Sequence, residues 1–188
     1  MLQLHSIIRP KKSIRGALVF VHGLAGDPYA TWRSDSEETF WPRWLRDDFS
    51  DVAVYSLGYD ATPSTWFGSA MALPDRAVSI LATLVADHLD TRPLVFICHS
   101  LGGLVLKQLL RITADSRGRP EGRILENTRG VVFLGTPNTG SDLATWADRL
   151  RILVRPSAAT QDLSFDCPWL RASVCACRAF REPCVYAT

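Results

Sequence analysis

Apolar and polar positions follow one another along the chain in a pattern that predicts strands separated by helices. Four short runs are rich in β-branched and aromatic residues: ALVFV (17–21), DVAVYSLGY (51–59), PLVFIC (93–98) and GVVFLG (130–135). Near-continuous apolar runs of this length are typical of strands that are buried on both faces of a parallel sheet. We therefore predict a strand at each of the four runs.

Several segments outside these runs carry apolar residues at helical spacing. Residues 74–90 predict a helix, with Pro74 at its first position and an apolar stripe that includes His88. From Leu101 to Ile112 nearly every turn is apolar, as expected of a central buried helix. A further helix is predicted after Ser141 and Asp142, whose side chains are suited to cap it.

The alternation of strands and helices predicts an α/β fold with a mostly parallel sheet and helices on both faces. With 188 residues, of which 47% are hydrophobic, the chain is expected to form one domain over residues 1–188. Its core should cover about residues 15–140, and a helical segment like a cap or lid should follow at about 141–180. The polar and basic stretch 115–130 is assigned only to the surface.

Charge and hydropathy narrow the choice of partners. The chain has 21 Lys and Arg against 19 Asp and Glu, so its net charge is +2, too weak a field to favour nucleic acid or an anionic membrane as the main partner. No apolar run approaches the roughly 18 residues of a membrane span, and the first apolar run does not predict a signal peptide. We expect no nucleic-acid partner and no stable membrane span, and peripheral membrane contact stays open.

The cysteines favour a reducing compartment. Their number is five, which argues against a complete disulfide framework. Cys175 and Cys177 form a CAC sequence with Cys184 nearby, but this is not the C-x-x-C spacing of structural zinc sites and no histidine accompanies it. We therefore predict reduced thiols, no metal site, no cofactor and a cytoplasmic location.

The string C-H-S-L-G, from Cys98 to Gly102, carries the main chemical signal. In a G-x-S-x-G nucleophile elbow, a serine lies on a tight turn between a strand and a helix, and small neighbours let the backbone fold closely around it. Cys98 replaces the first glycine by another compact residue, and His99 precedes the serine. A buried strand before the string and a helix directly after it make Ser100 the candidate nucleophile. The alternative is that Ser100 only caps the helix.

A second signal lies at the end of the first predicted strand. His22 and Gly23 follow the apolar run, and a glycine permits a tight turn that aims the next backbone N–H toward the nucleophile. We predict that the N–H groups of Leu24 and Leu101 form an oxyanion hole, in which each donor typically contributes a few kcal/mol to the transition state. The alternative is a turn that merely ends the strand.

Three motifs together resemble a known family. LVFVHGLAGDPYATW, FICHSLGGLVLKQLL and GVVFLGTPNTGSDLATWADRL are similar to the lipase-like α/β-hydrolases, the group that includes the serine active site containing protein and the GPI inositol-deacylase. The resemblance covers about Ala17 to Leu170. It implies an ester-hydrolysing fold with Ser100 as nucleophile and the turn after His22 as oxyanion loop. Asn138 in GTPNTG occupies a place where this group commonly has histidine, and should shape the rim of the site.

The sequence departs from the family in its histidines. The family order is serine, then acid, then histidine, but His5, His22, His88 and His99 all precede Ser100. We expect His88 to belong to the core or its boundary, His99 to pack or orient, and the His22 loop to bring backbone to the site.

Acids do follow the serine, at Asp142, Asp148, Asp162 and Asp166, but within the expected cap. We expect EPCVYAT (182–188) to form the next strand, which makes the fold incomplete at its C-terminal end. Truncation and frameshift both stay open as the cause.

These observations lead to two hypotheses of different classes. The first is a serine hydrolase of the esterase or lipase kind, acting on small-molecule esters or lipids and weakened by the missing base. The alternative is a non-catalytic module that binds a lipid or a partner, or a truncated remnant. Aromatic residues should either form an apolar acyl-binding rim or pack in the core, with equal weight: Trp32, Phe40, Trp41, Trp44, Trp66, Phe67, Trp146 and Trp169.

Overall fold

One sheet organises the protein. The computed structural model describes residues 2–11, 13–61 and 73–137, and the backbone of 186–187. Its strands are β1 (Gln3–Ile8), β2 (Gly16–Val21), β3 (Val52–Gly58), β4 (Leu94–His99), β5 (Thr128–Leu134) and β6 (Tyr186–Ala187). Within the described residues they form a 6-stranded sheet in the order β1-β3-β2-β4-β5-β6. Only the pairing of β1 with β3 is antiparallel, which confirms the mostly parallel sheet.

Helices and single turns connect the strands. The α-helices are α1 (Leu45–Asp48), α2 (Leu73–Ala86), α3 (Gly102–Ala114) and α4 (Pro120–Asn127). Short 3-10 turns lie at Ala30–Trp32, Glu37–Thr39, Trp41–Arg43 and Leu89–Thr91. The helices α2, α3 and α4 pack against one another. The predicted central helix is therefore confirmed as α3, of which residues 102–110 are all buried.

The sheet is buried on both faces. Successive side chains of a strand point to opposite sides of the sheet, so each strand contributes residues to both faces. On the face covered by α2, α3 and α4, Val19 and Val21 join the larger apolar cluster. On the other face, Phe20 packs with Trp32, from the first 3-10 turn after β2, and with Phe40, which lies between the next two turns. The near-continuous apolar runs of the sequence reflect this two-sided burial.

Three sequence predictions differ from the structure. The strand β1 was not predicted, because its residues are mostly polar or half-buried and it lies at the edge of the sheet. The helix predicted to residue 90 ends at Ala86, and His88 is exposed with a left-handed φ of 57° instead of lying on a buried stripe. The stretch 115–130 lies mostly at the surface, as predicted, but it is not a loop throughout, since residues 120–127 form α4 and bury Gly122 and Ile124.

The parallel arrangement decides where the candidate site lies. The residues that follow β2, β4 and β5 leave the sheet at the same edge, because parallel strands have their carboxyl ends together. Val21 is in register with Cys98, and Cys98 with Phe133. The loops that begin at His22, Ser100 and Gly135 are therefore neighbours. β6 adjoins β5, in agreement with the strand expected in 182–188.

Candidate active site

Ser100 lies in the tight turn between β4 and α3. Its backbone is left-handed, with φ of 53°, a conformation that costs a non-glycine residue about 1 to 3 kcal/mol and persists only when the surroundings hold it. Its N–H donates to the Leu134 carbonyl at 2.8 Å, and its carbonyl accepts from the Gly103 N–H at 3.1 Å and the Thr136 hydroxyl at 2.9 Å. Tertiary hydrogen bonds thus hold the strained turn in place.

The turn at Ser100 and the loop after β2 touch each other through two glycines. A Cβ atom on Gly23 would lie 2.8 Å from the Ser100 Cβ, and one on Gly102 would lie 2.3 Å from the His22 carbonyl oxygen. Real Cβ atoms essentially never approach so closely, so both positions need glycine. The structure thereby brings His22, Gly23, Ser100 and Gly102 together, as the sequence predicted for one site.

The amides of Leu24 and Leu101 border this contact. Neither N–H donates a hydrogen bond to any described residue. Leu101 precedes the first residue of α3, where helix N–H groups lack intrahelical acceptors and the helix dipole favours negative charge. The two N–H groups are thus available for an oxyanion, although their role as a pair stays a prediction.

His22 is fully buried beneath the turn. Its Nδ1 donates to the Gly23 carbonyl at 3.0 Å, and its ring stacks on the Tyr59 ring at a centroid distance of 4.3 Å. Burial lowers the pKa of His22, which therefore stays neutral near pH 7. Within the described part of the chain its Nε2 has no hydrogen-bond partner. The side chain therefore holds the loop through Nδ1, and its Nε2 forms no hydrogen bond with Ser100.

His99 is the last residue of β4, directly before the serine, and contacts the aromatic ring of Trp32. Its ring meets the Trp32 ring edge-on at 6.3 Å, and partial burial lowers the pKa of His99. The Ser100 Oγ forms no hydrogen bond with any residue that the structure describes. Neither His22 nor His99 is therefore bonded to the serine as a general base would be.

Sequence reasoning missed two residues of this site. The Tyr59 hydroxyl donates to the His22 carbonyl at 2.5 Å, and the Thr136 hydroxyl donates to the Ser100 carbonyl. Burial raises the pKa of Tyr59 well above its usual value, so its hydroxyl keeps the donated proton. Tyr59 closes the apolar run 51–59 and Thr136 belongs to the GTPNTG motif, but neither pattern reveals the contact partner.

The aromatic residues for which a core role or a rim role was predicted differ in their burial, and the rim role stays a prediction. Trp32 and Phe40 are core residues, with 2% and 1% of their surface exposed, whereas Trp44 is 57% exposed. Trp41 and Trp44 line a shallow depression of about 580 Å³ beside Trp32. The remaining aromatic candidates lie outside the described residues: Trp66, Phe67, Trp146 and Trp169.

Other predicted features also fall outside the described residues. The candidate cap at 141–180, its cysteines and the rim residue Asn138 are among them. So are the acids that follow the serine, namely Asp142, Asp148, Asp162 and Asp166. Their predicted roles stay predictions.

The described ranges hold neither a candidate metal site nor a helix that could span a membrane. No group of three His, Cys, Asp or Glu side chains that could bind a metal ion occurs in residues 2–11, 13–61 and 73–137. Among the helices in these ranges, none has both the length and the hydropathy needed to span a bilayer.

Comparisons with known proteins agree with this architecture. A family model described as "Alpha/beta hydrolase family" matches residues 18–187. Protein SERAC1 from Homo sapiens is 33% identical over 189 residues, a match that covers 89% of this chain and 28% of the relative. Protein SERAC1 from Danio rerio is 29% identical, with 89% and 29% covered.

The chain thus spans under a third of the length of these curated relatives. Among solved structures, esterase B from Lactobacillus rhamnosis aligns with a TM-score of 0.48 and 17% identity, over 85% of this chain and 53% of that one. The family match extends over nearly all of the chain and includes every residue of the candidate site. The chain belongs to the α/β-hydrolase family.

Proposed function

We propose that the protein is a serine hydrolase that acts on carboxylic esters, with Ser100 as the nucleophile. The observation that carries this proposal is the left-handed backbone of Ser100 in the turn between β4 and α3. The turn places a strained serine, which is 7% exposed, beside two backbone donors that bond none of the described residues, and backbone strain of this kind clusters at active sites. A serine that served only as a helix cap would have no need of this conformation.

The reaction would follow the acyl-enzyme route. The Ser100 Oγ attacks the ester carbonyl carbon and gives up its proton to a base, and the carbonyl oxygen becomes an oxyanion. The Leu24 and Leu101 amides stabilise that charge. The C–O bond to the alcohol then breaks, the alcohol leaves with a proton, and water hydrolyses the ester bond to Ser100.

An ester with an apolar acyl chain fits the surroundings best. Trp41 and Trp44 line the depression beside Trp32, and the Trp32 ring contacts His99 directly before Ser100. Aromatic side chains give apolar surface for a hydrocarbon chain. Lipids are therefore among the candidate substrates.

One observation favours a second function. No described residue hydrogen bonds to the Ser100 Oγ, and a serine without its base is a poor nucleophile, since loss of catalytic triad residues can cost about a million-fold in rate. The depression beside Trp32 would then bind a lipid or a protein partner without cleaving it.

Labelling with a fluorophosphonate probe separates the two functions. We expect the purified chain to be labelled and Ser100→Ala to be unlabelled, with hydrolysis of short- and long-chain esters lost in the same variant. His22→Asn and His99→Gln, measured in parallel, test whether either histidine activates the serine. Absence of labelling in folded wild-type protein would refute the hydrolase proposal and leave the binding module.

A further inference from the structure

The three residues after β3 fasten the loop that carries the Leu24 amide. The Tyr59 hydroxyl donates to the His22 carbonyl at 2.5 Å, and the Ala25 N–H donates to the Ala61 carbonyl at 2.6 Å. These two contacts lie on either side of Leu24. The path of the loop is therefore fixed by a segment that is more than 30 residues away along the chain.

The orientation of the Leu24 N–H depends on one peptide group. That N–H belongs to the same planar, trans unit as the Gly23 carbonyl, so the two point in opposite directions. The Gly23 carbonyl accepts from the His22 Nδ1 at 3.0 Å and from the Gly26 N–H at 3.0 Å. Holding this carbonyl therefore aims the Leu24 N–H.

Tyr59 holds His22 through both its ring and its hydroxyl. The two rings are nearly parallel, with an interplanar angle of 13° and centroids 4.3 Å apart, while the hydroxyl bonds the His22 carbonyl. Tyr59 is itself supported from α2, where the Arg76 guanidinium lies 6.0 Å from its ring centre and donates to the Asp60 carbonyl. The tyrosine is 7% exposed and has little freedom to move.

We propose that Tyr59 is a positioning residue for catalysis, which acts through His22 to aim the Leu24 N–H at the oxyanion. The proposal rests on the proposed hydrolase function and deepens it by assigning a role to a residue that bonds to the loop after β2. As a positioning residue, Tyr59 acts through His22 and not on the reacting atoms. Its contribution is to keep an oxyanion donor preorganised.

The variant Tyr59→Phe tests the proposal, because it keeps the stacked ring and removes only the hydroxyl. Removal of an oxyanion donor costs about 100- to 1,000-fold in kcat, and loss of its alignment should cost less, about tenfold. The decrease should appear in kcat and in the fluorophosphonate labelling rate, with KM nearly unchanged, since the donor acts mainly in the transition state.

Tyr55→Phe is the matched control. Tyr55 lies on β3, is half-buried, and its hydroxyl bonds none of the described residues. The same chemical change should leave kcat and labelling at the wild-type level. Two variants of His22 test the hydrogen bond to the Gly23 carbonyl. His22→Asn can still donate to this carbonyl and should retain more activity than His22→Leu, which cannot.

Amide hydrogen exchange gives a readout that needs no activity. In Tyr59→Phe the Ala25 and Gly26 amides should exchange about tenfold faster, whereas amides of the central strand β4 should change much less, because they report global unfolding. Unchanged labelling of Tyr59→Phe would overturn its catalytic positioning role, and unchanged exchange would show that its hydroxyl does not fasten the loop.

The two proposals fail in different ways. A labelled wild-type protein with full labelling of Tyr59→Phe overturns the positioning role and leaves the hydrolase function. An unlabelled wild-type protein overturns the hydrolase function and the catalytic role of Tyr59 with it. Exchange then decides only whether Tyr59 fastens the loop.

Discussion

Gly102 and His22 are in such close contact that a methyl group at position 102 would lie 2.3 Å from the His22 carbonyl oxygen. The neighbouring Val21 carbonyl would be 2.6 Å away, so backbone rather than a movable side chain fills the space. Gly102→Ala should therefore lower the free energy of unfolding by at least about 2 kcal/mol, as expected for overpacking against rigid groups. Chemical denaturation monitored by circular dichroism measures the loss.

Gly130→Ala provides the control for this substitution. The added Cβ would lie 3.9 Å from Val95 methyl groups, an ordinary van der Waals distance. Its effect should stay within about 0.5 kcal/mol. Equal stability of the two variants would contradict the close packing inferred between the Ser100 turn and the loop after β2.

Thr136 supports the serine turn from the loop that follows β5. Thr136→Val keeps the shape of the side chain but removes the 2.9 Å hydrogen bond to the Ser100 carbonyl. The variant should be less stable by about 1 kcal/mol and should react several-fold more slowly with a fluorophosphonate, because Ser100 is held less firmly.

The control for Thr136 is the same change inside α3. Thr113 is fully buried and its hydroxyl donates to the Leu110 carbonyl at 2.7 Å, at the end of the helix away from the serine. Thr113→Val should cost a similar amount of stability but leave the labelling rate unchanged. If both variants react equally slowly, the effect of Thr136 comes from global stability and not from the turn.

The strain at Ser100 can be measured through glycine and alanine substitutions. Because φ is 53° at this position, Ser100→Gly should be more stable than Ser100→Ala by about 1 kcal/mol. In α2 the order should reverse, since Ser79→Gly should be less stable than Ser79→Ala by about 1 kcal/mol. The comparison of thermal unfolding in the four variants checks both signs. The same order at both positions would refute strain at the serine.

The sequence predicted the parts of the protein that depend on local pattern. The four buried strands and α3 were predictable because two-sided burial leaves continuous apolar runs. α4 was missed since it is short, polar on one side and contains Gly122, and β1 was missed because an edge strand needs few apolar residues.

For the site, the sequence predicted the residues of the motifs, but it did not predict the hydroxyl groups that hydrogen bond to them. The hydroxyl of Tyr59 reaches a carbonyl 37 positions away, and that of Thr136 one 36 positions away. A single sequence carries no signal of such contacts, because a hydroxyl at the end of an apolar run is compatible with many partners. Only the register between β2, β3, β4 and β5 brings these two hydroxyl groups to the carbonyls that they bond.

The last prediction concerns pH. Burial lowers the pKa of His22 in the folded protein, whereas the unfolded chain should titrate near the ordinary value of about 6.5. Above that pH His22 is neutral in both the folded and the unfolded state, so its burial does not make the free energy of unfolding depend on pH. As the pH falls below about 6.5, the unfolded chain takes up a proton that the folded protein excludes, so stability decreases until the lowered folded pKa is passed.

The measurement is the free energy of unfolding from about pH 7.5 to about pH 5. One excluded proton gives a slope of up to about 1.4 kcal/mol per pH unit. His22→Asn keeps a donor for the Gly23 carbonyl and has no group that titrates in this range, so the slope should decrease. His99→Gln should remove a smaller part, because His99 is exposed whereas His22 is fully buried, although the pKa of His99 is lowered by the same cause. An unchanged slope in His22→Asn would mean that the imidazole becomes protonated inside the fold, and the neutral, loop-holding role of His22 would have to be abandoned.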